Sequence, residues 1–124
     1  MAKQNRVVIT KQRTINMYAE LWHASGCVLE KGIDNPEGSA WQFLSSAVLT
    51  AFAFEAYLNH AGAANVERWN EHDREPPLDK LKVLCEELNV HFPEGSGARP
   101  LQTARRLFKL RNAMAHGRTA LPGP

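Results

Sequence analysis

Residues 41–60 read WQFLSSAVLTAFAFEAYLNH. Wound as an α-helix, this segment is apolar around most of its circumference, the pattern of a helix that needs neighbours on several sides. It therefore predicts the middle of a helical bundle. Before it, Tyr18, Leu21, Trp22, Ser25, Val28 and Leu29 recur at helical spacing over residues 10–31. Lys31-Gly32 and Asp34-Asn35-Pro36 then supply a stop and a loop. After it, Gly62 is the expected end. Residues 64–75 are polar apart from Val66 and Trp69, giving one short helical piece before the Glu75-Pro76-Pro77 break.

Leu78, Leu81, Leu84, Cys85 and Leu88 form a narrow stripe on a third helix, closed by His91-Phe92-Pro93 and Gly95-Ser96-Gly97. The last helix is predicted from Pro100, a favoured first-turn position, to about Ala115, with Gly117 as its C-terminal cap. No segment alternates with period two. The expectation is an all-α, single-domain antiparallel bundle over residues 1–124: four main helices, one short helical segment, and flexible ends at 1–9 and 119–124.

A chain of 124 residues with 44% hydrophobic residues suits one compact domain. Its net charge of +2 conceals a segregation. Residues 1–13 carry Lys3, Arg6, Lys11 and Arg13 without an acid, and residues 99–124 carry Arg99, Arg105, Arg106, Lys109, Arg111 and Arg118 without one. All 13 carboxylates lie between, so both ends are basic regions. Two cysteines, Cys27 and Cys85, are too few for a disulfide framework, and there is no CxxC pair. The longest apolar segment, 47–58, is broken by Thr50 and Glu55 and is too short to cross a bilayer, and Val7 to Ile9 is too short for a signal-peptide core. These features predict a cytoplasmic protein that makes no use of a membrane.

Two charges stand where leucines would be expected. With about 100° per residue, Ala104, Leu107, Phe108, Met114 and Ala115 all fall within about 60° of Arg111, placing it at the centre of the last helix's apolar stripe. Glu55 is likewise central among Leu44, Val48, Ala51, Phe52 and Leu58. Buried ions are normally paired. Glu55 and Arg111 are therefore expected to face each other, with Asn59, one turn beyond Glu55, satisfying leftover hydrogen-bonding groups. The pair could serve to fix helix register alone, or it could belong to a functional site.

The residues beside Arg111 bear on that choice. Asn112 and His116 lie one turn apart on an edge shifted from the apolar centre towards Arg105 and Lys109. Arg111 and His116 differ by about 140° on an ideal helix, so one straight helix cannot aim both at one atom. Either the helix loosens at Ala115-His116, or a symmetric dimer brings two copies of the edge around one cleft.

The stretch Leu107-Phe108-Lys109-Leu110-Arg111-Asn112-Ala113-Met114-Ala115-His116-Gly117 resembles the signature of the HEPN family (higher eukaryotes and prokaryotes nucleotide-binding). In that signature an Arg, a polar residue, three more residues and a His close the last helix. Phe54-Glu55-Ala56-Tyr57-Leu58-Asn59 is similar to the family's second helix, where an acid and often an asparagine recur. The resemblance implies a metal-independent endoribonuclease that works as a homodimer, with Arg111, Asn112 and His116 as catalytic residues and Glu55 and Asn59 supporting them. It equally covers non-catalytic members used for dimerisation, nucleotide binding or protein-partner binding. Family toxins paired with a minimal nucleotidyltransferase antitoxin carry a tyrosine two residues after the histidine. Here that position is Arg118, so modification of that tyrosine does not carry over.

The residue types fit the chemistry that the resemblance implies. In RNA the 2′-hydroxyl can attack the adjacent phosphorus, which requires a base, an acid for the 5′-oxygen, and positive charge near the phosphorane oxygens. An imidazole, with a reference pKa of about 6.5, can fill the first two roles, and a guanidinium suits the third. Arg111 would hold the scissile phosphate or its transition-state charge, and Asn112 would orient His116 or the phosphate. The products would be a 2′,3′-cyclic phosphate and a 5′-hydroxyl. Arg105, Lys109 and Arg118 are candidate contacts to RNA phosphates, and an antitoxin or regulatory protein is a possible partner. No cofactor is expected.

The remaining candidates have structural readings. His23 and Cys27, four apart, have metal-ligand spacing but no second pair, so no metal is assigned. His60 is read as a helix-end cation, and His72 and His91 as exposed. Trp22 and Trp41 are expected in the core, leaving Trp69 as the indole for a partner or nucleic acid. The acids from Glu67 to Glu75 read as a solvated surface. Catalytic triads, GxGxxG and GxxxxGK are absent from the sequence.

Overall fold

The computed structural model describes residues 4–10, 15–92 and 99–117. It contains four α-helices, α1 (Met17–Asp34), α2 (Ala40–Asn65), α3 (Pro77–Glu87) and α4 (Arg99–His116), and a 3-10 turn at Trp69–His72. No strand occurs among the described residues. The all-α bundle read from the sequence is therefore the architecture.

α1 and α2 form an antiparallel hairpin, the most extensive helix pairing in the molecule. Small polar residues let the two backbones approach closely. Ser25 Oγ donates to the Ser46 carbonyl at 3.1 Å, Ser46 Oγ donates to the Ser25 carbonyl at 3.0 Å, and Thr50 joins them through the Ser25 hydroxyl. Nearer the loop, a Cβ on Gly32 would lie 3.0 Å from the Phe43 ring, so a side chain there would crowd that ring. At the other end Tyr18 meets Tyr57 edge to face, with centroids 5.3 Å apart.

Two helix ends differ from the sequence reading because their glycines serve packing. α1 does not stop at Lys31-Gly32; buried Gly32 lies inside the helix, which runs to Asp34. α2 does not stop at Gly62 but continues to Asn65, where the Val66 N–H bonds to the Gly62 carbonyl at 2.8 Å. A Cβ on Gly62 would come within 2.2 Å of the Trp69 indole. The missing side chain is the space into which Trp69 is set. The first helix also begins later than residue 10: Ile15 and Asn16 are not helical, and residues 11–14 fall outside the described set.

The tryptophans are arranged opposite to the expectation. Trp69 is 7% exposed, whereas Trp22 and Trp41 are 67% and 75% exposed. Among the described residues no element covers the faces of α1 and α2 that carry these two indoles. Trp22 walls an apolar groove of about 250 Å³ with Tyr18, Phe54, Tyr57 and Leu107. The core consists of Ala51, Ala53 and Leu58 of α2 with Trp69, Leu84, Leu101 and Phe108. Phe54 and Phe108, with centroids 5.5 Å apart, join α2 to α4.

α3 starts with Pro77 in its first turn and presents buried Leu84 and half-buried Leu78, Leu81 and Cys85 to the core, while Leu88 is 46% exposed. α4 ends as expected, with Gly117 at φ +58° and its N–H bonded to the Ala113 carbonyl. No helix among the described residues is long and apolar enough to cross a membrane.

Candidate functional site

Arg111 and Glu55 meet. Arg111 Nη2 lies 3.5 Å from Glu55 Oε2, and the two side chains are 32% and 27% exposed. The pairing inferred from the two apolar stripes is present, although the stripe on α4 is only partly covered. Leu101 and Phe108 are buried and Ala104, Leu107 and Leu110 half-buried, but Ala115 is exposed and Met114 is 46% exposed. Burial thus fades along α4 from Phe108 to Met114, and Arg111 sits at that margin between core and solvent.

The guanidinium has further partners. Its Nη1 donates to Asn112 Oδ1 at 3.0 Å, and its Cζ lies 5.5 Å from the centroid of the Phe52 ring. Nε is buried with no hydrogen-bond partner. Arg111 is thus held by a carboxylate, an amide and an aromatic face, and Asn112 is held in turn through its oxygen.

Asn59 does not complete this group. Its Oδ1 accepts from Lys80 Nζ at 3.1 Å, and Lys80 is only 2% exposed. The expected help from Asn59 to Glu55 and Arg111 is therefore redirected to a buried ammonium on α3. Sequence reasoning missed Lys80. The available signal was its position one turn before Leu84, which puts it beside the apolar stripe of that helix.

His116 is exposed at the last position of α4. The helix stays α-helical to that residue, so loosening at Ala115-His116 does not occur, and the offset of about 140° from Arg111 stands. A single chain does not bring Arg111 and His116 together.

Arg105, Lys109 and Asn112 do come together. They line a cleft of about 260 Å³ whose other walls are Pro76, Pro77 and Leu78, at the start of α3, and Phe108. Arg118 lies outside the described residues.

The other histidines fall outside this region. His60 lies within α2, five residues before its end, tilted against Tyr18 at 5.0 Å, so it is not a helix-end cation. His72 is half-buried rather than exposed, its Nδ1 lying 2.8 Å from Glu75 Oε1. His91 is exposed as expected. His23 Nε2 is 3.6 Å from Cys27 Sγ on the surface of α1, and no group of three potential metal ligands occurs among the described residues.

Compared with known proteins, the chain matches no family model, no curated protein and no solved structure.

Proposed function

We propose that this chain is a HEPN-type, metal-independent endoribonuclease that acts as a homodimer. The observation that carries the reading is the Glu55–Arg111–Asn112 chain, which fixes a half-buried arginine beside an amide one turn from an exposed histidine. Three of the residues that the resemblance implies, Glu55, Arg111 and Asn112, are joined through the guanidinium, and Glu55 orients the arginine.

A second copy supplies what one chain lacks. Phe52 on α2 and Met114 on α4 leave apolar surface exposed near Arg111, and Trp41 continues the Phe52 face about three turns along α2. A two-fold axis beside this face sets two α4 helices around one cleft, each copy contributing its own histidine. One imidazole takes the proton from the 2′-oxygen, the bond from O2′ to phosphorus forms and the bond from phosphorus to O5′ breaks. The second imidazole protonates the departing 5′-oxygen. The N–H groups of Arg111 not used by Glu55 and Asn112 stabilise the charge on the phosphorane oxygens.

The test is cleavage of generic RNA in EDTA by the wild type and by His116→Ala. The expected result is loss of cleavage by a factor of about 100 or more with helical content unchanged, the usual range for a general acid or base. An inert wild type, or equal cleavage by both, overturns the reading. Inertness with intact dimerisation would favour the non-catalytic binding module.

A further inference from the structure

Arg105, Lys109, Asn112 and His116 fall within about 60° of one another around α4 and span about 16 Å along it. Arg111 lies off this row, turned towards Glu55 and Phe52. The cleft formed by the first three has an unusual polar lining. It contains two cations and one amide, and no carboxylate borders it. Neither Arg105 nor Lys109 has an ion-pair partner among the described residues. The Asn112 amide is not neutral in its preference either: its oxygen is taken by Arg111 Nη1, so Nδ2 is the end left for a ligand. The polar side chains that line the cleft thus offer it mainly donors. The wall from the start of α3, Pro76, Pro77 and Leu78, is apolar and relatively rigid, and Phe108 of α4 adds a further apolar residue.

We propose that this cleft binds a phosphate of single-stranded RNA next to the one being cleaved, with the attached sugar and base lying against Pro76 and Pro77. A donor-rich lining selects an oxyanion, and the apolar wall selects a nucleotide over a bare anion. Asn112 and Lys109 precede His116 by one and two turns, so the phosphate in the cleft is a neighbour of the scissile one and the strand follows α4. Arg111 has a second role here as a positioning residue that turns the Asn112 amide donor-outward. This inference rests on the ribonuclease reading for the identity of the strand, but the cleft's affinity for nucleotides can be measured without cleavage.

The probe is a short single-stranded deoxyoligonucleotide, which lacks the attacking 2′-hydroxyl, followed by fluorescence anisotropy over a range of salt concentrations. Arg105→Ala with Lys109→Ala is expected to weaken binding about tenfold or more and to lower the salt slope by about 0.7, the value for one phosphate contact on a single strand. Asn112→Asp keeps the size but replaces the donor with a carboxylate, and is expected to weaken binding likewise. Arg106→Ala removes a charge from α4 off the row and is expected to leave the slope unchanged. Equal slopes for the wild type, the double variant and Arg106→Ala overturn the proposal, as does equal loss from the double variant and Arg106→Ala. If the binding effects appear while His116→Ala cleaves as the wild type does, the cleft stands and the ribonuclease assignment to His116 falls. If cleavage depends on His116 while the double variant binds normally, the opposite holds.

Discussion

Gly62 shows how one missing methyl group determines a packing site. A Cβ there would stand 2.2 Å from the Trp69 ring, so Gly62→Ala must expel the indole from α2 or bend the helix. The expected cost is about 1–3 kcal/mol, the range for overpacking, and it should appear in denaturant unfolding with red-shifted tryptophan emission. Lys80 presents the opposite case, a charge in the core held, among the described residues, by one neutral amide. Lys80→Met keeps the length and apolar stem, removes a desolvated ammonium, and frees an exposed Asn59 to bond water. It should raise thermal stability by an amount on the order of 1 kcal/mol, and a lower melting temperature would show that the ammonium is better satisfied than its single partner implies. Glu55→Ala leaves Arg111 without its carboxylate and should cost about 1 kcal/mol, given that both groups are partly solvated, together with a loss of RNA cleavage. Unchanged melting and cleavage would remove Glu55 from the site.

Among the helices, α2 explains why much of the architecture could be read from sequence and part of it could not. Period and length were enough to find all four helices, because apolar recurrence is a local property of the chain. Helix ends at Gly32 and Gly62 were misplaced because a glycine lowers helix propensity and also opens room for a neighbour, and only the neighbour decides which effect counts. Trp22 and Trp41 were misread for a related reason. A helical wheel identifies an apolar face, but it does not reveal whether another element covers that face. Glu55 and Arg111 were readable because each sits at the centre of an apolar stripe, whereas Lys80 lies at the edge of a narrow one, where a lysine is ordinarily solvated. At the end of α4, Gly117 has φ +58°, so Gly117→Ala should cost about 1 kcal/mol and fray the turn that carries His116. The expected sign is a small loss of helical circular dichroism.

At the scale of the whole molecule, one chain leaves Phe52 and Met114 partly exposed near the paired charges, with exposed Trp41 on the same face of α2 about three turns away. If this face joins two copies, Trp41→Glu with Phe52→Glu should yield a folded monomer by sedimentation, and cleavage should fall with dimerisation. A double variant that remains dimeric would move the interface elsewhere. The net charge of +2 is a poor guide to any of this, because the C-terminal cations divide between an internal pairing at Arg111 and the open cleft of Arg105 and Lys109.

The way α4 is attached has a dynamic consequence. α1 and α2 are clasped along their length by reciprocal serine hydrogen bonds and aromatic contacts, whereas α4 packs chiefly against α2. The hairpin's contacts are local in sequence, so it should form early in folding and α4 should dock late. In the native protein the order is reversed, and α4 should open before the hairpin does. Its amide protons should therefore exchange with deuterium through a low-energy local opening, well ahead of the slowest amides in α1 and α2. A strand lying along α4 would slow that exchange selectively, turning the least anchored helix into a reporter of its own occupancy.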